Sequence, residues 1–314
     1  STLRRTGLLQ PGVERKMGNL VASFEVSPAF RPFIEAKYVS VNALRNGQPS
    51  FFNNSFSIDN PFLTDQARAA ISSTLAPGQT TFSALRFNVD FGSIGANIER
   101  NTYRIVAGFD GTFNDDWQYE VAFNYGRLDT NLKTSGNVLM AQYARSINAV
   151  RNGAGTIVCG VNADADTTND DSACVPVNLF GDGQVSQAAL DYFGHTSRRK
   201  EKAEQYNATA FISGDTSQWF ELPGGPVGFA IGAEYRRETA FSTSDPITQQ
   251  AGATFFSLGP TFDPPAYVVK EAFGEIRIPL LANMPFVHEL SIEASGRVSD
   301  YNLGSTGTVF AYNV

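Results

Sequence analysis

The chain has 314 residues, 42% hydrophobic and 18% charged, with 28 Gly, 25 Phe and a net charge of −7. This composition excludes a disordered chain. The single basic run, Arg198-Arg199-Lys200 followed at once by Glu201, excludes a nucleic-acid-binding surface. No apolar run approaches the ~18 residues of a membrane helix, so only strands of a closed sheet could span a bilayer.

The opening STLRRTGLLQPG has neither initiator Met nor leader pattern and reads as a mature or excised segment. Met17 to Ser27 then alternates, Leu20, Ala22, Phe24 and Val26 opposing Asn19, Val21, Ser23 and Glu25. Such period-two alternation is the signature of a strand with one apolar face. Pro28 and Pro32 bracket a turn, and Ile34, Ala36 and Tyr38 continue the pattern. About residues 43–98 the pattern dissolves into a long polar loop. Thr64 can cap a short helix through Ile71, and Leu85 to Ile98 reads as a projecting hairpin.

Arg100 to Thr130 is the clearest element. Tyr103, Ile105, Ala107 and Phe109 share one face of its first arm, and Trp117, Tyr119, Val121, Phe123 and Tyr125 share one face of the second. Asn114-Asp115-Asp116 supplies the turn. Both arms exceed the 5–6 residues of an ordinary strand and suit the roughly 9–11 that cross a bilayer. A second long loop follows at about 131–201. There Leu139, Tyr143, Ile147 and Val150 predict a helix over 138–150, and Ser186 can cap another. Alternation resumes at Lys202–Ser213, Val227–Glu238, Tyr267–Leu281 and Glu289–Ser299, and a last strand begins near Thr306.

Connections alternate between short turns and mostly much longer loops, as on the two rims of an outer-membrane barrel. The polar face repeatedly carries charge: Arg104, Asp110, Glu120, Glu234, Arg236, Glu271, Glu275, Arg277, Glu293 and Arg297. Facing a watery lumen these groups are tolerated, whereas a charge facing lipid costs a few kcal/mol. The expected fold is therefore all-β: about nine long antiparallel strands of an incomplete transmembrane barrel, spanning residues 1–314. Tyr103, Ile105, Phe109, Tyr119, Val121 and Phe123 should meet lipid; Arg104, Asp110, Glu120 and Asn124 should line the lumen. A soluble β-sandwich for adhesion or carbohydrate binding remains open, since its strands alternate equally well. A passive porin-like channel also remains open.

Cys159 and Cys174 would close a loop of about 15 residues in an oxidising compartment; two free thiols are the alternative. Asp164, Asp166, Asp170 and Asp171 form a solvated acidic loop or a weak Ca²⁺ candidate lacking the EF-hand spacing. Phe51, Phe52, Phe62, Tyr192 and Phe193 are candidate stacking groups for a ligand, or packing groups between loops. Neither His195 nor His288 has an evident partner in sequence, and no catalytic motif or cofactor fingerprint is present, so no enzyme is expected. Glu271 and Glu275, four residues apart on one strand, stand more than about 13 Å apart and cannot act as a glycosidase pair.

The strings RNTYRIVAGFDGTFNDDWQYEVAFNYGR, LPGGPVGFAIGAEYRRE, EAFGEIRIPLLANMP, DNPFLTDQARAAI and CGVNADADTTNDDSACVPVNLFGDG resemble the barrel of TonB-dependent outer-membrane receptors. The resemblance implies a barrel of about 22 strands with an N-terminal plug. It also implies energy-coupled import of a siderophore, cobalamin or glycan through the TonB complex. The chain departs from that pattern, with neither plug nor TonB box, and reads as an internal piece of a barrel. The expected partners are outer-membrane lipid and a small-molecule or oligosaccharide ligand.

Overall fold

The computed structural model describes residues 7–257 and 259–314. The chain is all-β, with 58% of residues in strands and 9% in helices. Its frame is one nine-stranded antiparallel sheet that does not close on itself. The strands are β1 (Gly12–Ser23), β2 (Arg31–Pro49), β5 (Ser93–Phe113), β6 (Trp117–Val138), β9 (Gly194–Gly214), β10 (Gly228–Ser244), β11 (Tyr267–Met284), β12 (Val287–Tyr301) and β13 (Thr308–Asn313). They lie in that order across the sheet.

Sharp turns occupy one rim. Asn114 and Asp115 join β5 to β6 with φ of 55° and 63°, and Asn283 and Phe286 flank the β11–β12 turn at 55° and 69°. Asn and Asp tolerate this left-handed backbone because their short side chains bond locally. The opposite rim carries the long insertions. The first holds a hairpin of β3 (Phe51–Ser57) and β4 (Thr81–Phe87) with helix α1 (Asp65–Ser72), whose first turn Thr64 caps through Ala67. The second holds α2 (Met140–Ile147), the short pair β7 (Ala149–Arg151) and β8 (Ile157–Cys159), and α3 (Gln187–Phe193), capped by Ser186.

Several expectations are corrected. The loops are shorter than 43–98 and 131–201, because β2 runs to Pro49, β5 starts at Ser93, β6 runs to Val138 and β9 starts at Gly194. Above the apolar band both faces of these strands are polar, so pairing continues with no alternation to mark it. The hairpin expected at 85–98 does not form: Leu85 belongs to β4, opposite Asn53, and Ile98 belongs to β5. The helix expected over 138–150 is trimmed to Met140–Ile147, since Val138 still pairs with Gly194.

The compact apolar core lies in the loop cap, where Phe52, Phe56, Val138, Tyr143, Val177, Leu179, Ala189 and Phe193 pack together. The Cys159–Cys174 disulfide braces this cap. Among the described residues no second sheet covers the apolar face of the large one; Ile105, Phe123, Ile231 and Ile292 on it are between 46% and 58% exposed. A β-sandwich would bury that face; in the described residues it is left open.

Candidate lumen face, membrane face and loop cap

Strand register sorts the side chains into two faces. Ile34 stands opposite Ala107, Ala107 opposite Phe123, Phe123 opposite Ala208 and Ala208 opposite Tyr235, forming one apolar row across five strands. The adjacent apolar row runs Phe109, Val121, Ala210, Ala233, Ala272 and Val298. Aromatic groups bound this band on both rims. Toward the long loops lie Tyr38 stacked on Tyr103 at 5.1 Å, Tyr125 on Tyr206 at 4.9 Å, and Tyr235. Toward the short turns Phe113 and Trp117 meet at 5.6 Å, and Trp117 meets Trp219 at 5.3 Å and Phe229 at 4.8 Å. At ~3.3 Å per residue and a tilt of 35–45°, the distance between the two girdles is roughly 20–25 Å, close to the apolar band of a membrane barrel. Beyond the tyrosines this face turns charged at once, with Arg127 paired to Asp129 and Lys202 to Glu204.

On the other face the same register brings together every charged group expected there: Arg104, Asp110, Glu120, Glu234, Arg236, Glu271, Glu275, Arg277, Glu293 and Arg297. Arg31 pairs with Asp110, and Arg104 donates to Asn124 at 2.9 Å. Arg277 reaches Glu289 and, at 3.4 Å, Glu293. A groove of about 410 Å³ there is lined by Glu275, Arg277, Glu293 and Ser295. Two carboxylates, Glu234 and Glu271, face each other directly across β10 and β11. Neutral donors hold them: Asn207 donates to Glu234 at 2.7 Å and Ser299 to Glu271 at 2.6 Å. This pairing is invisible in sequence, because it depends on the register of strands separated by a loop. Phe33, Phe211 and Phe273 also lie on the charged face.

The loop candidates separate. Phe193 is fully buried and Phe52 is 7% exposed, both in the cap core, so neither can present a ring to a ligand; apolar contact within the cap took them. Phe51 is exposed beside Phe87, Phe62 is half-buried, and Tyr192 donates its hydroxyl to Asp171 at 2.7 Å. The four aspartates do not converge. Asp164 and Asp166 accept local bonds from Asp166 and Thr168, Asp171 pairs with Arg145 at 2.7 Å, and no metal-binding group occurs among the described residues. The Tyr192 hydroxyl and then the Arg145 guanidinium hold the Asp171 carboxyl below its usual range, against burial.

His195 is not isolated. Its Nε2 lies 3.1 Å from Asp245 and 3.3 Å from the Thr248 hydroxyl. Thr248 is fully buried; its hydroxyl donates to the Asp245 carboxylate at 2.7 Å and lies 3.0 Å from the Ser197 hydroxyl. Together these bonds clasp the loop after β10 onto the start of β9. The sequence signal was weak, because the partners lie 50 residues apart.

No protein-family model matches the chain, and no curated protein matches it in sequence. Among solved structures it is similar to the translocator domain of the autotransporter NalP from Neisseria meningitidis. The TM-score is 0.24 at 10% identity, covering 96% of this chain and 79% of that one. A likeness this slight carries no functional argument. The expected membership of the TonB-dependent receptors is corrected: no family model matches the chain, and what the comparison of structures finds is an autotransporter translocator domain and not such a receptor.

Proposed function

We propose that the chain is part of the wall and extracellular cap of an outer-membrane β-barrel, a transporter and not an enzyme. Its charged face would line a route for a polar small molecule or oligosaccharide. One observation carries the reading: an exposed apolar band bounded by tyrosines on one rim and by Trp117, Trp219 and Phe113 on the other, backed by a face rich in charge. Aromatic girdles of this kind belong at the two interfaces of a bilayer. The disulfide in the cap fits a compartment outside the reducing cytosol.

Closure adds a geometric condition. With nine alternating strands, β1 and β13 run in the same direction, so a pairing between them would be parallel. An antiparallel wall therefore needs an odd number of further strands between these edges.

The test places spin labels at Val121→Cys and Glu120→Cys in the protein reconstituted into vesicles. The label at 121 should be broadened by lipid-dissolved oxygen, and the label at 120 by a water-soluble nickel chelate. Equal response of both positions to both reagents would defeat the proposal.

A further inference from the structure

The two faces leave one feature unexplained, a depression of about 900 Å³ whose lining includes Phe109, Phe123, Ala208, Ala210, Ala233 and Tyr235 of the membrane face. Small alanine side chains stand there among larger rings. Lys270 lies at its long-loop end, directly opposite Tyr235, and Arg237 stands one step further along β10, opposite Val268. Neither cation makes an ion pair with an acid among the described residues. The nearby acids are engaged elsewhere: Glu204 with Lys202 at 2.7 Å and the Tyr125 hydroxyl at 2.9 Å, Asp129 with Arg127 at 2.8 Å. Asp300 stands opposite Lys270 in register but accepts the Thr308 hydroxyl at 3.0 Å. Arg237 lies over the Tyr206 ring, its guanidinium 5.9 Å from the centroid.

We propose that this groove seats one phosphate-bearing acylated lipid of the leaflet on the long-loop side. Its chains would lie on Ala208, Ala210 and Ala233, and its phosphate between Arg237 and Lys270. The inference rests on the membrane-wall reading and adds a lipid class to it. An unpaired cation on a lipid-facing surface is costly at mid-bilayer and tolerated near the interface, where an anionic headgroup supplies the missing charge. Both cations stand at the level of the tyrosine girdle, where headgroups lie. The chain's net charge of −7 opposes anionic lipid in general, so a preference would have to arise locally.

The experiment is electron spin resonance of the reconstituted protein with chain-labelled phosphatidate or chain-labelled phosphatidylcholine, comparing the motionally restricted fraction of each. The expected result is several-fold selectivity for phosphatidate. The selectivity should fall to near one both in Arg237→Gln/Lys270→Gln, which removes the charge, and in Ala233→Phe, which fills the groove and keeps the charge. Equal restriction of both lipids by the unmodified protein, or selectivity that survives both changes, overturns the lipid seat and leaves the wall intact. Absence of any restricted lipid overturns the wall itself.

Discussion

Phe273 lies across Gly232 on the neighbouring strand so closely that a Cβ at Gly232 would stand 2.2 Å from the tip of the ring. Arg297 covers the same ring from the next strand, 5.4 Å from its centroid. Gly, Phe and Arg thus tie three strands together on the charged face. Phe33 treats Gly108 similarly, 2.7 Å from a Cβ there. Gly232→Ala should destabilise the sheet by about 1–3 kcal/mol, because the ring must leave its seat. In a Phe273→Ala background the same change should stabilise by about 0.5–1 kcal/mol, since Ala suits a strand interior better than Gly. Urea unfolding from vesicles in the four-member cycle would read this reversal of sign.

The buried hydroxyl of Tyr143 accepts from Asn54 at 2.9 Å, joining α2 to the β3–β4 hairpin. Burial pushes the Tyr143 phenol well above its usual range, so it stays neutral. Tyr143→Phe should loosen the cap by about 1–3 kcal/mol, because the Asn54 amide is left without a partner in the core. The double change with Asn54→Ala should cost less than the sum of the two singles. Hydrogen exchange over 52–56 and 140–147 measures both.

Replacing Cys159 and Cys174 by Ala should cost the cap about 3 kcal/mol, the chain-entropy value for a loop of this length. The effect should be local. Protease should cut between 160 and 173 far faster than in the disulfide-bonded protein, while urea unfolding of the sheet stays unchanged. A matching loss of sheet stability would show the cap and wall to be one cooperative unit.

These relationships mark what could be read in the sequence. Alternation exposed both faces of the Arg100–Thr130 hairpin, because an apolar band in contact with lipid demands a period of two. It failed above the band, where Glu99, Asn101, Asp129 and Asn131 sit on the outward face of paired strands with water on both sides. Thr64 and Ser186 were legible as helix caps because capping is local. The Glu234–Glu271 contact, the clasp of His195 and the burial of Phe52 and Phe193 depend on register and loop docking, which no local pattern records.

The clasp at His195 predicts a response to acid. Burial alone would raise the Asp245 carboxyl, but hydrogen bonds from the Arg198 amide, the Thr248 hydroxyl and amide, and the His195 ring outweigh it and hold it well below its usual range. A depressed folded value contributes stability above the ordinary carboxylate pKa of about 3.9, lost as pH falls toward the folded value. Exchange of the 245–256 amides, corrected for intrinsic pH dependence, should therefore be flat from neutrality to about pH 4 and should rise below it. Asp245→Asn should open the segment at neutral pH and abolish that acid step.

Glu234 and Glu271 place two carboxylates side by side in the expected lumen, where like charges directly opposite each other on neighbouring strands destabilise the pair. Their donors, Asn207 and Ser299, are neutral, so the repulsion is not cancelled by an ion pair at either residue. Two opposite effects follow from removing one charge. Stability should hold or rise by up to about 1 kcal/mol in Glu271→Gln, because the cross-strand repulsion disappears. Cation preference should fall at the same time, because fixed acidic groups in a pore favour cations. Reversal potentials across a planar bilayer in a salt gradient measure the second effect, and urea midpoints measure the first. Glu234→Gln should behave alike, and the double change should add to the loss of selectivity while adding nothing to stability. If the single changes instead weaken the sheet and leave the reversal potential unmoved, these carboxylates face protein and not an open aqueous path.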